Sequence, residues 1–342
     1  MALLGFLPNT PIVNGAVVLV ATGLIWIGSG WLETSAERLA AHYGLPAVVQ
    51  GSIVVAIGSS FPELSSVVFA ALSGVFDIGV GAVVGSAIFN ILVIPALSGL
   101  AAADTLETNR TLVYKEAQFY MIAVSALIIT FAFAVIYVPV PEGPPLIGRI
   151  TRPLAAVPLL LYGLYLFIQW QDVSDHADAG VVDAAIRRQW VTLGAGLALI
   201  LVAVEQLVGS VESLSTTFGI PELLAGVTIV AAATSLPDLL VSVRSARDGD
   251  SVTSLANVLG SNTFDLLVAI PIGVLIAGSV TVDFATAVPM FAVLTLATVI
   301  LFAMIRTDLR LSTAEAYGLL MCYLLFVAWL ITEALGVTAL LK

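Results

Sequence analysis

Apolar residues run along this chain in blocks of roughly twenty, the length a helix needs to cross the hydrocarbon core of a bilayer. Ten such blocks stand at about 12–33, 46–73, 78–102, 112–139, 153–170, 188–211, 220–245, 252–278, 282–305 and 313–335. The breaks between them carry helix stops and polar turns: Gly44-Leu45-Pro46, the stretch from Pro139 to Pro145, the aspartate-bearing residues 171–183, Gly219-Ile220-Pro221, and Arg306 to Arg310. Barrel strands would alternate apolar and polar positions over about ten residues, and these runs are continuous instead. The pattern predicts an all-α integral membrane protein with ten transmembrane helices.

Composition sharpens that reading. Of 342 residues, 60% are hydrophobic and 10% charged, against about 25% charged in a soluble domain, so lipid has to solvate most of the surface. The first residues, MALLGFLPNTPIVNG, lack the basic leader and cleavage pattern of a secretory signal and read as the run-in to the first helix. Cys322 is the single cysteine, which leaves no intrachain disulfide. Placing the N-terminus outside puts nine of the twelve Lys and Arg residues on cytoplasmic ends (Arg38, Arg110, Lys115, Arg187, Arg188, Arg244, Arg247, Arg306 and Arg310) and leaves Arg149, Arg152 and Lys342 outside. Cytoplasmic ends collect Lys and Arg, so a cell-membrane protein with both termini extracellular is predicted. A net charge of −11 argues against a nucleic-acid partner.

The chain repeats itself at an offset of 175 residues. Gly44-Leu45-Pro46 pairs with Gly219-Ile220-Pro221, Ser60-Phe61-Pro62-Glu63-Leu64 with Ser235-Leu236-Pro237-Asp238-Leu239, and Gly85-Ser86 through Asn90 with Gly260-Ser261 through Asp265. Residues 37–90 laid on 212–265 without a gap give 17 identities in 54 positions. Two apolar helices share Ala, Val and Leu by chance, but not Pro, Gly, Ser and acid in register. Five helices per half is odd, so the second half enters from the opposite face and the repeats, 1–170 and 188–342 with a loop at 171–187, are inverted. In transporters built this way the substrate site lies near the midplane, on interrupted helices where the repeats meet.

The shared segments, 56–90 and 231–265, hold the chemistry. Pro62 and Pro237 have no N–H to offer the carbonyls of Gly58 and Ala233, and their rings crowd that turn. Free carbonyls at membrane depth are tolerated where they line a cavity. Glu63 and Asp238 stand beside these prolines, and Asp265 lies in the eighth helix; each charge at a helix centre costs about 2.5–3.5 kcal/mol on insertion scales. No Lys or Arg occurs at their depth in these helices, which leaves a proton or a cation to neutralise them. Ser59, Thr234, Ser86, Asn90 and Ser261 add oxygen donors at four-residue spacing. An all-oxygen set without His or Cys suits sodium, calcium or potassium rather than zinc, copper or iron. Glu205 is read as a vestibule residue, and Glu33, Glu37 and Glu212 as solvated helix-end acids. His176, with Asp172, Asp175 and Asp178, is read as a solvent-facing loop.

At these residues the sequence resembles the calcium/cation antiporter superfamily, and within it the sodium/calcium exchangers. Their two repeats carry G-[ST]-S-x-P-[ED] followed by G-S-x-x-x-[ND]. Here the first reads Gly58-Ser59-Ser60-Phe61-Pro62-Glu63 then Gly85-Ser86-Ala87-Ile88-Phe89-Asn90, and the second Ala233-Thr234-Ser235-Leu236-Pro237-Asp238 then Gly260-Ser261-Asn262-Thr263-Phe264-Asp265. The resemblance implies that Glu63 and Asp238 bind calcium. It also implies that Ser59, Ser60, Thr234, Ser235, Ser86, Ser261, Asn90 and Asp265, with the carbonyls of Ala56 and Ala231, complete the sodium and calcium sites. Helices 1 and 6 would slide past the rest to give alternating access, in a monomer that needs no cofactor. Ala233 replaces the usual glycine and Asp238 a frequent glutamate. The S-x-P-D and S-N-x-F-D forms look like the potassium-dependent branch, in which an acid matching Asp265 is associated with potassium.

Three other readings compete. A calcium/proton antiporter would use Glu63 and Asp238 as proton carriers. An intramembrane aspartyl protease would need the two acids to share a proton, and gives no reason for the duplicated Ser, Thr and Pro. A channel would need a continuous pore.

Overall fold

The computed structural model describes residues 9–43, 56–102, 105–110, 112–141, 146–173 and 186–338. Twelve helical segments position the site: α1 Pro11–His42, α2 Ala56–Ser59, α3 Phe61–Ser73, α4 Phe76–Ala101, α5 Leu112–Tyr137, α6 Arg152–Val173, α7 Ile186–Phe218, α8 Glu222–Thr234, α9 Leu236–Arg247, α10 Ser251–Ala277, α11 Phe284–Arg306 and α12 Thr313–Ala334. Among the described residues eight helices are long and apolar enough to cross a membrane. The bent pair α8–α9 makes a ninth.

The expected span at 46–73 is described only from residue 56, where it consists of α2, a break at Ser60, and α3. The expected span at 220–245 is likewise two helices, meeting at Ser235 with a bend of 46°. Pro62 and Pro237 sit in the first turn of α3 and α9. A missing N–H costs nothing there, so proline starts a helix as readily as it interrupts one.

Two helices outrun their apolar blocks. α1 continues to His42 and α7 to Phe218, because polar residues alone do not end a helix. α7 stops before Gly219, whose φ of +66° is the left-handed conformation glycine adopts freely. α12 starts on a reciprocal capping box between Ser312 and Glu315.

α4 and α10 form the centre. In their most apolar stretches 89% and 78% of residues are buried, against 22% in α12. The outer helices turn Leu19, Trp26, Ile129, Leu160 and Leu324 outward, which for a membrane protein is a surface for lipid. α1 and α7 pack on each other through Ile25, Leu32, Ile200, Val204 and Leu207, in a hydrophobic cluster apart from the main one that also takes in Ala70, Ile78, Ala82 and Val230 of the inner helices. Their axes approach closely at Gly28 and Gly196, where a β-carbon on Gly28 would stand 2.8 Å from Ile200.

An all-α chain was expected, yet short strands also occur. β1 (Leu106–Glu107) pairs antiparallel with β4 (Arg310–Leu311), and β2 (Ile147–Thr151) with β3 (Ser279–Asp283), Ile147 opposite Asp283 and Ile150 opposite Val280. Strand after α4 thus meets strand before α12, and strand after α10 meets strand before α6. Segments this short give no periodic signal of their own. Gly44-Leu45-Pro46, Asp175, His176 and Asp178 lie outside the described residues.

Candidate ion-binding site

Glu63 and Asp238 each occupy the third position of a helix that begins inside the bundle. A helix N-terminus carries partial positive charge and favours a carboxylate in its first turn. Both residues are 0% exposed, as are Asp265, Ser59, Ser60, Ser86, Asn90, Thr234, Ser235 and Ser261. Among the described residues no Lys, Arg or His is buried. The three acids act on one another electrostatically.

Close backbone packing assembles the group. Gly81 of α4 lies against the carbonyl of Leu223, Gly85 against the backbone of Val227, and Gly226 of α8 against the carbonyl of Ile78. No side chain separates the two helices there. Ser86 is consequently near enough to accept a hydrogen bond from the Ser235 hydroxyl at 2.7 Å.

The contacts recur at matching repeat positions. The Ser86 hydroxyl donates to Glu63 Oε1 at 3.3 Å, and the Ser261 hydroxyl donates to Asp238 Oδ1 at 3.0 Å. Ser235 reaches across to Ser86, and Ser60 across to the Ser261 carbonyl at 3.5 Å. Ser59 and Ser261 hydroxyls are 3.1 Å apart. The Ser86–Glu63 and Ser261–Asp238 bonds exchange under the offset of 175, as do the residues of the Ser235–Ser86 and Ser60–Ser261 contacts.

Asn90 uses both amide hydrogens, one on Asp238 Oδ2 at 2.9 Å and one on Asn262 Oδ1 at 3.0 Å. Its own Oδ1 is buried without a hydrogen-bond partner, as are Glu63 Oε2 and both carboxylate oxygens of Asp265. Four unpartnered oxygens in a buried, acid-rich group with no basic residue constitute a demand for positive charge. Among the described residues no three His, Cys, Asp or Glu side chains group tightly enough to hold a metal alone. A bound cation would therefore draw on hydroxyl, amide and carbonyl oxygens as well, which is how calcium completes six to eight ligands.

Two expected ligands are already engaged. The Ala231 carbonyl accepts from the Ser235 amide at 3.0 Å and from the Thr234 hydroxyl at 3.4 Å. Thr234 also donates to the Val230 carbonyl at 3.1 Å. The Thr234 hydroxyl donates in both of its bonds and keeps its lone pairs for coordination, whereas the Ala231 carbonyl would have to give up one of its two bonds to coordinate an ion. Ala56 opens α2.

Asn262 escaped the reading of ligands. It accepts from Asn90 and donates to the Ala87 carbonyl at 3.2 Å and the Tyr120 hydroxyl at 3.3 Å. The signal available was an amide in the second motif where the first has Ala87. Glu33 was misjudged. Its carboxylate is half-buried, its Oε1 has no partner, and its stem packs on Gly58. The helix end expected near residue 33 lies nine residues further on, so Glu33 is inside the bundle. Glu37 is exposed, and Glu205 and Glu212 are half-buried.

Comparison with known proteins bears on the family and the fold. Residues 14–171 and 188–332 match the family described as sodium/calcium exchanger protein. The chain is 28% identical over 279 residues to the inner membrane protein YrbG of Escherichia coli, covering 76% of this chain and 81% of that one. It is 25% identical over 281 residues to the sodium/calcium exchanger MaX1 of Methanosarcina acetivorans, covering 73% and 79%. The solved sodium-calcium exchanger NCX_Mj superposes with a TM-score of 0.63 at 24% identity, over 93% of this chain and 99% of that one. That likeness is one of fold.

Proposed function

The chain belongs to the sodium/calcium exchanger family, and from that premise we propose that it moves sodium and calcium in opposite directions by alternating access, with Glu63 and Asp238 as the central calcium ligands. The observation that carries the reading is the duplicated bond, Ser86 to Glu63 and Ser261 to Asp238, in a group whose acids have no basic partner. Two carboxylates contributed by equivalent positions neutralise one divalent ion, and the surrounding hydroxyls and amide suit sodium when calcium has left. A coupling ion is required, since moving two charges out against 100 mV costs about 4.6 kcal/mol.

In this reading the helices form two inverted five-helix repeats, with α2–α3 and α8–α9 as broken second and seventh spans and α1 and α7 as the sliding pair. The protein works as a monomer with both termini outside. The potassium-dependent alternative would use Asp265, whose oxygens are unpartnered. The proton-coupled alternative has the same acids to work with.

Calcium flux into proteoliposomes under a sodium gradient, with and without potassium, separates these readings. Sodium-driven flux is expected. Flux driven by a proton gradient and indifferent to sodium would overturn the assignment.

A further inference from the structure

Glu33 stands on α1 with its Cγ 3.5 Å and its Cα 3.8 Å from the point a β-carbon on Gly58 would occupy. α1 therefore rests on the short helix that leads into Glu63, with no side chain between. Glu33 Oε1 is buried without a hydrogen-bond partner. Asp238 and Glu37, both acids, lie close enough to act on Glu33 electrostatically.

One turn toward the middle of α1, Ser29 is 0% exposed and its hydroxyl also lacks a partner. One turn the other way, Glu37 is exposed and lies within the influence of Arg38 and Arg244. Residues 29, 33 and 37 share one helix face at four-residue spacing. That face thus grades from a dry oxygen, through a half-buried carboxylate, to a solvated one.

A purely structural acid inside a membrane protein is paired or hydrogen-bonded. Glu33 Oε1 is neither, and helix packing supplies no reason to retain it. We propose that Glu33, with Ser29 behind it and Asp238 beyond, is a separate calcium station on the path between the central acids and the membrane face carrying Arg38 and Arg244. Calcium would pause there with part of its water shell, held by one carboxylate of the moving helix and one of the fixed core. Occupancy would tie the position of α1 to the ion. The path rests on the reading of the central site, but the station is tested by binding alone.

Equilibrium binding of radioactive calcium to the purified full chain is measured for Glu63→Gln and for Glu63→Gln with Glu33→Gln. The first is expected to keep weak calcium binding, and the second to lose a further factor of about ten, the scale on which a supporting ligand acts. Glu33→Asp in place of Glu33→Gln is expected to recover most of it, which a packing role would not produce. Equal residual binding in Glu63→Gln and the double variant, or none in either, overturns the station. Both outcomes are independent of whether sodium drives calcium flux in the wild type.

Discussion

Asn262 donates a hydrogen bond at 3.2 Å to the carbonyl of Ala87, the residue 175 positions before it. Two positions joined by the repeat offset are thus in direct contact, as the proposed inverted arrangement allows for residues near its axis. The flanking bonds agree: Ser235 to Ser86 on one side and Ser60 to Ser261 on the other exchange under the same offset. The amide of Asn262 and the methyl of Ala87 differ, and the asymmetry of the site begins there.

Neutralising either central acid should weaken calcium binding severely and leave the fold intact. Glu63→Gln and Asp238→Asn are each expected to lower calcium affinity by about a hundred-fold or more, since charge count sets the affinity of a calcium site. In calcium-free buffer both variants should melt at a higher temperature than the wild type, because an unpaired buried charge opposes folding. Calcium should raise the melting temperature of the wild type far more than that of either variant. Thermal unfolding with and without calcium reads both effects, and normal calcium transport in either variant would refute the assignment.

Removal of the mirrored hydroxyls should have mirrored effects. Ser86→Ala and Ser261→Ala each delete one bond to a carboxylate, of a kind that contributes about 1.5–3 kcal/mol. Losses in calcium affinity of similar size are expected from both, measured by isotope uptake. A loss confined to one variant would mean that the two serines do not share a role.

The close approach of α4 and α8 leaves no room at Gly85. A β-carbon there would stand 2.7 Å from the Cα of Val227 and 2.8 Å from the Cβ of Ala231. Gly85→Ala is expected to destabilise the protein by about 1–3 kcal/mol through overpacking and to part Ser86 from Ser235. Transport should fall more than stability, which paired flux and melting measurements would reveal.

Restoring an N–H at the break tests the bend. Pro237→Ala allows a bond across the 46° junction of α8 and α9. The variant should be at least as stable as the wild type and should transport calcium more slowly, since a straightened helix withdraws Asp238 from the group. Undiminished flux would show that the break serves folding rather than transport.

Much of this was legible along the chain because membrane helices are long and their polar residues conspicuous. Blocks of twenty apolar residues located the outer helices, and the offset of 175 located Glu63, Asp238 and their serines before any coordinates. Helix ends were less legible. A helix stops where a glycine or proline compels it, as at Gly219, not where its residues turn polar, and for that reason Glu33 was read as solvated. Asn262 and Tyr120 meet only across separate helices, a contact that no spacing along one helix encodes. The strand pairs were invisible for the same reason.

Those strand pairs limit how the molecule can move. Each ladder ties a loop of the first half to a loop of the second through backbone bonds, so the two are buckled into one hoop at separate points of its rim. Prising the halves apart would tear both clasps. A motion that spares them leaves the hoop whole and shifts what the clasps do not bind, and α1 and α7, which carry no strand of either ladder, are free of that restraint, as the proposed sliding pair would have to be.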